Sequence, residues 1–365
     1  MDNSFLELQP YSLDKAAKRE FLNKRVGELM RHHYENCESF RKMMDAYGLD
    51  IANLPEYDEL PFLPVRLFKE MELKSVPQDD VVKTMTSSGT TGQAVSKIYL
   101  DKDTSANQQK CLAKIVGYFL GNKRLPMLII DTPNVVKDRR MFSARGAGIL
   151  GFSIFGQSRK YALDEEMKLD EVGLGEFLQK HGDEPFFVFG FTFMIWQHFV
   201  KELKRKGIDV DMRNAILIHG GGWKKLVDEK VSHREFKDIL HDTCGILQEN
   251  IHDYYGMVEQ TGCIYMECSE GHLHAPVFSD VIIRRPVDFS KAEVGEKGII
   301  QVISTLPESY PGHSLLTEDE GVLLGEDDCR CGLKGKYFKI EGRIKNAEIR
   351  GCSDTYASQF KTNDR

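Results

Sequence analysis

The sequence predicts an α/β protein in which helices alternate with buried strands. Beyond residue 80, short apolar runs recur at 127–130, 186–189, 215–218 and 298–303, of which the last contains Gln301. Apolar runs without polar alternation are typical of strands that helices cover on both faces. Between them, segments 197–206 and 233–244 carry apolar residues at the three- and four-residue spacing of an amphipathic helix.

The composition narrows the class of protein. The chain has 365 residues, of which 41% are hydrophobic and 29% charged, as in a soluble globular protein. Its net charge of −7 argues against nucleic acid or an anionic membrane surface as the main partner. No secretory signal and no apolar run of the roughly 20 residues that a membrane span requires is evident. Eight cysteines in so long a chain do not make a disulfide scaffold, so we expect a cytoplasmic protein.

Residues 1–80 are predicted to form a helical lead-in packed on the core. Ser12 and Asp14 are candidate caps for a helix whose apolar residues recur at 21, 22, 26, 29 and 30. Three prolines, at 55, 61 and 64, then require an irregular connection.

A run of small residues follows at the start of the α/β region. It consists of Ser87, Ser88, Gly89, Thr90, Thr91 and Gly92. Small hydroxyls, free backbone N–H groups and tolerance of positive φ suit a loop that wraps phosphate oxygens, and Lys97 could neutralise part of their charge. The alternative is a flexible Ser/Thr/Gly loop, since no Gly-Lys-Ser/Thr closes it as in a P-loop.

Two predicted strands end in small or polar residues. One runs into Gly220, Gly221 and Gly222, and the other into Tyr254, Tyr255 and Gly256. Ligands of open α/β sheets bind beyond the carboxyl ends of the strands, so these turns are candidate walls of a binding crevice. Glu259 is a candidate metal carboxylate, and the alternative is an ordinary glutamate at the start of a helix.

Cysteine and histidine residues are concentrated in two later segments. Cys329 and Cys331 lie in a polar turn, and Cys263, Cys268, His272 and His274 lie upstream. Four nitrogen and sulfur ligands from two loops are what structural Zn²⁺ requires. We predict Cys268, His274, Cys329 and Cys331 as the ligands, with His272 as the substitute. The alternative is a set of reduced thiols near the surface.

An aromatic segment is a candidate lining for an apolar substrate. Phe189, Gly190 and Phe191, with Trp196 nearby, are predicted to form an acyl pocket. The alternative is plain core packing of a buried strand.

Taken together and in order, these motifs resemble those of the ANL superfamily of adenylate-forming enzymes. Residues 88–92 resemble its phosphate loop, and 220–222 resemble the glycine turn of its acyl and adenine pockets. Residues 254–259 are similar to its Tyr-Gly-x-Thr-Glu motif, with Val258 in place of Thr. Residues 316–319 resemble its Thr-Gly-Asp, with Glu318 in place of Gly, and 342–351 resemble its hinge.

The resemblance implies a fold, cofactors and residue roles. It implies a large ANL-type N-terminal domain with stacked β-sheets and flanking helices, here at 81–342, followed by a hinge remnant and tail at 343–365. ATP and Mg²⁺ would be the cofactors. Glu259 would hold Mg²⁺, Asp319 the ribose hydroxyls, and Arg343 the ribose or a phosphate. Similar Cys/His loops occur in the phenylacetate–CoA-ligase-like relatives of the superfamily.

The 22 residues after Arg343 are too few for the mobile C-terminal domain of an ordinary member. A shortened chain with Cys352 near its end resembles the acyl-protein synthetase (LuxE) family. That resemblance implies activation of a carboxylic acid, expected to be a fatty acid, as acyl adenylate, and its transfer to Cys352 for an acyl reductase partner. Arg350 would favour the thiolate of Cys352. The alternatives are an acid–CoA ligase of the phenylacetate–CoA-ligase type and a non-catalytic binding partner.

Overall fold

The computed structural model describes residues 2–87, 94–137, 144–223 and 230–344. The helices are α1 Lys15–Asn36, α2 Glu38–Ala46, α3 Leu67–Glu70, α4 Lys102–Leu120, α5 Asn134–Lys137, α6 Ala144–Phe152, α7 Glu171–His181, α8 Thr192–Met194, α9 Lys201–Lys206 and α10 His233–Cys244. The strands are β1 Leu63–Pro64, β2 Lys83–Thr86, β3 Lys97–Leu100, β4 Leu125–Ile130, β5 Gly156–Tyr161, β6 Phe186–Phe191, β7 Ala215–Gly220, β8 Ile251–Tyr255, β9 Tyr265–Glu267, β10 Leu273–His274, β11 Ser279–Arg284, β12 Lys297–Ser304, β13 Ser314–Glu326 and β14 Lys336–Arg343.

The helix boundaries follow from local capping chemistry. Asp14 caps α1 by accepting a hydrogen bond from the backbone N–H of Ala17 at 3.0 Å, whereas the Ser12 hydroxyl donates to a carbonyl before the helix. Helix α10 begins with a capping box between Ser232 and Glu235 and has the bounds that the sequence predicts. The helix predicted at 197–206 is partly different, because Ile195–Val200 forms a π-helical turn that leads into α9.

One compact unit is built on parallel strands. Among the described residues it comprises 117–255 and 267–271. Its strands lie in the order β8-β7-β6-β4-β5, and all neighbours are parallel. Every residue of β6 is buried, as expected for a strand that is apolar throughout. The predicted α/β class, with its flanking helices, is confirmed.

The other compact unit is mainly antiparallel. Among the described residues it comprises 2–116, 256–266 and 272–344. Strands β11, β12, β13 and β14 form a continuous antiparallel ladder that β10 extends, and the short β1 pairs with β13 in parallel. Strands β2 and β3 form a separate two-stranded hairpin. The predicted division at residues 80 and 342 stays a prediction. No helix in the described parts of the chain is long and apolar enough to cross a membrane.

A buried charge cluster fixes α1 on the antiparallel unit. Asp280 accepts hydrogen bonds from Lys336 Nζ and the Tyr57 hydroxyl, each at 2.6 Å, and Lys18 Nζ lies 3.7 Å from its other oxygen. Although burial acts to raise the pKa of Asp280, Lys336 and Lys18 lower it by more, so its pKa is below the ordinary value. The buried carboxylate of Asp280 is therefore the counter-charge for the ammonium groups of both Lys336 and Lys18.

Replacing Asp280 with Asn should destabilise the fold, because both lysines would lose their buried counter-charge. Removal of one partner from a buried ion pair typically lowers the free energy of unfolding by about 3–5 kcal/mol. Chemical denaturation of Asp280→Asn measures this. The matched control is Glu38→Gln, which breaks an exposed pair with Lys42 and should leave the free energy of unfolding close to that of the wild type. Equal losses in the two variants would contradict the description of this cluster.

Candidate active site

The predicted phosphate loop lies in the sequence between β2 and β3. Ser87 and Ser96 face each other at its base, where Ser87 N–H donates to Ser96 O at 3.2 Å and Ser96 N–H to Ser87 Oγ at 2.9 Å. Lys97, the first residue of β3, is exposed and pairs with Thr86. Ser88, Gly89, Thr90, Thr91 and Gly92 lie outside the described residues, so their contact with phosphate stays a prediction.

Glu259 lies on a short 3₁₀ turn, Val258–Gln260, and its side chain is buried. Burial raises the pKa of the Glu259 carboxyl group, and the nearby Ser96 hydroxyl and Lys69 offset this only in part. A buried carboxyl group of raised pKa is stabilised in its ionised form by a bound cation. The environment of Glu259 therefore suits the magnesium role that the sequence predicts.

Asp319 and Arg343 are brought together by the antiparallel ladder. They are direct partners in the register of β13 and β14, and Arg343 Nε lies 3.4 Å from Asp319 Oδ1. Thr317 fixes the backbone at this point, since its Oγ1 accepts from Asp319 N–H at 3.1 Å and donates to Ile300 O at 2.8 Å. A carboxylate next to a guanidinium can bind hydroxyl groups and an anion side by side.

The glycine turn and the tyrosine motif meet at the carboxyl ends of β7 and β8. Gly220 is the register partner of Tyr254, and a Cβ atom on Gly220 would lie only 2.7 Å from the Tyr254 ring. Gly221 and Gly222 follow with φ of +82° and +61°, a conformation that favours glycine. Tyr255 is half-buried at the end of β8. In the antiparallel unit, a Cβ on Gly256 would lie 2.9 Å from Ile264.

The residues predicted to line an acyl pocket are tightly packed. Phe189 and Phe191 are fully buried, and Phe189 stacks on Phe152 with ring centroids 4.4 Å apart. A Cβ on Gly190 would lie 3.0 Å from both Ile130 and Ile195, and the half-buried Trp196 packs against Trp223. Core packing accounts for these contacts, and the acyl role of the four residues stays a prediction.

Sequence reasoning missed an ionic network next to the glycine turn. Glu267 is buried and accepts from Lys237 Nζ at 2.7 Å, from His233 Nε2, and from the backbone N–H of Asp253 at 2.7 Å. Asp253 is the register partner of His219. Polar residues at strand ends beside Gly220 and Tyr254 were the available signal, but no local pattern points to Glu267.

The network holds charges of both signs in place. Burial acts to raise the pKa of Glu267, but His233 and Lys237 outweigh it and lower the pKa to about 2. Burial acts to lower the pKa of His233, and Glu267 raises it by more. Partial burial, together with the negative charge of Glu267, raises the pKa of Asp253.

His219 is neutral within this network, since burial lowers its pKa to about 3. The tautomer of His219 follows from its hydrogen-bond partner, Thr192. The Thr192 hydroxyl donates its one hydrogen to Gly220 O at 3.2 Å, so it accepts a hydrogen bond from His219 Nδ1 at 3.0 Å, and the ring carries its proton on Nδ1. The ring is thereby locked beside the glycine turn.

The predicted metal ligands cluster in the structure. One ligand atom from each of Cys268, His274, Cys329 and Cys331 lies within 4.8 Å of the others. Cys331 Sγ is 3.4 Å from His274 Nε2, and His272 Nδ1 is 3.4 Å from Cys329 Sγ. Cys329 and Cys331 lie on the turn between β13 and β14, and His274 is the last residue of β10. A set of three thiols and one imidazole fits Zn²⁺.

The fold has close counterparts among solved structures. An open conformation of 2-hydroxyisobutyryl-CoA ligase in complex with 2-HIB-AMP and CoA matches with a TM-score of 0.68 at 14% identity, over 94% of this chain and 79% of that chain. The thioesterification-state structure of the same ligase also gives 0.68, over 92% of this chain and 70% of that one. The predicted ANL-type fold is confirmed.

The match of a family model over nearly the whole chain identifies an adenylate-forming ligase. More specifically, the chain belongs to the acyl-protein synthetase (LuxE) family, which matches residues 1–361. Long-chain-fatty-acid–luciferin-component ligases are similar over nearly the full length. The Vibrio harveyi protein is 21% identical over 96% of this chain and 91% of its own. The Aliivibrio fischeri protein is 22% identical over 100% of this chain and 95% of its own.

The ionic network predicts a dependence of stability on pH. The pKa of Glu267 in the folded protein is about 2, below its ordinary 4.5, so its stabilising effect is complete above pH 4.5 and is lost as pH falls toward 2. We expect Glu267→Gln to lower the free energy of unfolding at pH 7 by roughly 3 kcal/mol, with a smaller difference at acid pH. Urea denaturation across this range measures the effect.

The control is Glu249→Gln, which alters an exposed glutamate of the same unit. Its free energy of unfolding should depend on pH in the same way as that of the wild type. A Glu267→Gln protein as stable as the wild type at pH 7 would show that Glu267 is not the ionised centre of the network.

Proposed function

We propose that the protein uses ATP to activate a fatty acid as acyl adenylate and then transfers the acyl group to its own Cys352. The observation that carries this proposal is the family match over residues 1–361. It is supported by two long-chain-fatty-acid ligases, each of which aligns over more than nine-tenths of both chains.

The first step replaces a poor leaving group with a good one. A carboxylate oxygen of the acid attacks the α-phosphorus of ATP, the bond to the β-phosphate oxygen breaks, and pyrophosphate leaves with the electron pair. Lys97 and the residues of the phosphate loop would balance the charge of the phosphates. Mg²⁺ bound at Glu259 would supply further neutralisation of that charge. Asp319 would accept hydrogen bonds from the ribose hydroxyls, and Arg343 would hold the ribose or a phosphate.

The second step is an acyl transfer to sulfur. The Cys352 thiolate, whose proton has gone to solvent, attacks the acyl carbonyl carbon. The bond to the phosphate oxygen then breaks, AMP leaves, and a thioester remains on the protein. Arg350 would favour the thiolate by its charge. Both residues lie outside the described residues, and the thioester would be handed to an acyl reductase.

Intact-mass spectrometry tests the proposal. After incubation with ATP, Mg²⁺ and a panel of fatty acids, the wild type should gain the mass of one acyl group, which hydroxylamine removes. Cys352→Ser should release pyrophosphate but carry no hydroxylamine-sensitive acyl group, because the adenylate forms without the thiol. Ser353→Ala, altered at the next residue, should behave as the wild type.

Two results would contradict self-acylation. Acyl-CoA that forms only when CoA is added, with no acyl group on the protein, would indicate an acid–CoA ligase. Absence of both products and of ATP–pyrophosphate exchange would indicate a protein that binds without turnover.

We further propose that Cys268, His274, Cys329 and Cys331 bind a structural Zn²⁺ ion. Their ligand atoms are close enough to share one ion. His274 Nδ1 is buried and has no hydrogen-bond partner among the described residues. A closed site with four protein ligands is structural, since no position is left for substrate. The ion would join the β13–β14 turn to β10.

Metal analysis tests the zinc proposal. The purified protein should contain one Zn²⁺ per chain, and Cys331→Ser and His274→Ala should lose it with a lower melting temperature. His272→Ala should keep the ion, since His272 is the substitute and not a ligand. Cys244→Ser, at a buried thiol outside the cluster, should also keep it. A wild type that holds no zinc even after reconstitution would contradict the site.

A further inference from the structure

Residues 309–312, here called the strap, lie in the connection between β12 and β13. Ser309 binds the strap to the region that carries the predicted phosphate loop. Its Oγ donates to Tyr99 O of β3 at 2.8 Å, and its N–H donates to Thr104 Oγ1 of α4 at 3.2 Å. The strap is therefore fixed to the strand that begins with Lys97.

Tyr310, the next residue, reaches Glu259. Its ring is fully buried against Phe68, and its hydroxyl donates to Glu259 O at 2.9 Å. Gln108 of α4 donates to the same hydroxyl oxygen at 3.3 Å. The hydroxyl thus has both a donor and an acceptor, and its direction is set by two separate elements.

The other end of the strap, at Gly312, packs against the 3₁₀ turn that carries Glu259. A Cβ on Gly312 would lie 2.9 Å from Glu259 O and would also overlap the Tyr310 ring, so only glycine fits. Gln260, next to Glu259, donates from Nε2 to Gly312 O at 2.8 Å and to Val302 O at 3.1 Å. The turn that carries Glu259 is therefore held from two sides by the strap.

We infer that Tyr310 is a positioning residue for the carboxylate of Glu259, and that the strap sets this carboxylate relative to the strand of Lys97. The inference rests on the proposed function, in which Glu259 binds Mg²⁺. A three-residue turn has little rigidity of its own. Loss of the hydroxyl frees the Glu259 peptide group, and the metal ligand then loses its fixed orientation.

The matched experiment compares Tyr310→Phe with Tyr265→Phe. Tyr265 is also fully buried in this unit, and its hydroxyl donates at 2.9 Å to a backbone carbonyl, that of Asp280. Tyr310→Phe loses the bond to Glu259 O and the longer bond from Gln108, and Tyr265→Phe loses the bond to Asp280 O. Both variants keep the buried ring, so both melting temperatures should fall. Of these two tyrosines, Tyr310 is the one whose hydroxyl bonds the backbone carbonyl of Glu259, the residue that carries the predicted metal carboxylate.

The readout is the Mg²⁺ concentration that gives half-maximal ATP–pyrophosphate exchange with a fatty acid. Tyr310→Phe should raise it by about tenfold or more, as loss of an outer partner of a metal ligand does. Tyr265→Phe should stay within about twofold of the wild type, and the KM for the fatty acid should be unchanged in both. Gln108→Met, which leaves Tyr310 in place, should shift the Mg²⁺ requirement in the same direction by a smaller factor.

A second readout separates this inference from the proposed function. Binding of Mn²⁺ in the presence of ATP, followed by electron paramagnetic resonance, needs no acid and no turnover. Weaker Mn²⁺ binding in Tyr310→Phe than in Tyr265→Phe supports the inference even if the wild type shows no exchange, in which case the proposed function fails alone. If Tyr310→Phe and Tyr265→Phe have the same Mg²⁺ requirement for exchange and bind Mn²⁺ equally well, the inference is overturned, whatever the exchange activity of the wild type.

Discussion

Burial of the parallel strands on both faces constrains where polar chemistry can lie in their unit. Strand β6 has no exposed residue, so a functional group along its length would have to give up water without compensation. Polar and glycine residues accordingly gather where β7 and β8 end, at His219 and Gly220 and at Asp253 and Tyr254. The same constraint requires Glu267, buried beside them, to be matched by Lys237 and His233 rather than by solvent.

Features with a local sequence signal could be predicted. Apolar runs predicted the cores of β4, β6, β7 and β12, and each strand is two residues longer in the structure. Helix α10 was predicted with its bounds because its capping box and final glycine are local chemistry. The π-helical turn before α9 was not predicted, because its apolar spacing does not differ enough from that of an α-helix.

The residues of the candidate site also differ in whether the local sequence predicts them. The four cysteine and histidine residues and the pair of Asp319 and Arg343 were found from residue type and motif order, and the structure brings each set together. Tyr310 could not be found, because its bond to Glu259 spans 51 residues and its surroundings read as an ordinary connection. Val258 stands where the related motif has a hydroxyl, and the turn is held here by Tyr310 and Gln260.

The β13–β14 hairpin joins two of these features through its register. Its turn carries Cys329 and Cys331, and the far end of the β13–β14 pairing carries Asp319 and Arg343. Side chains of a strand alternate between faces, and the pairing between these two ends shifts its register twice, between Glu320 and Gly321 and between Leu323 and Gly325. A slip of one residue would place Gly342 opposite Asp319 and turn the guanidinium to the other face of the sheet. The alignment of Asp319 with Arg343 therefore depends on these two irregular positions as well as on the cysteine turn.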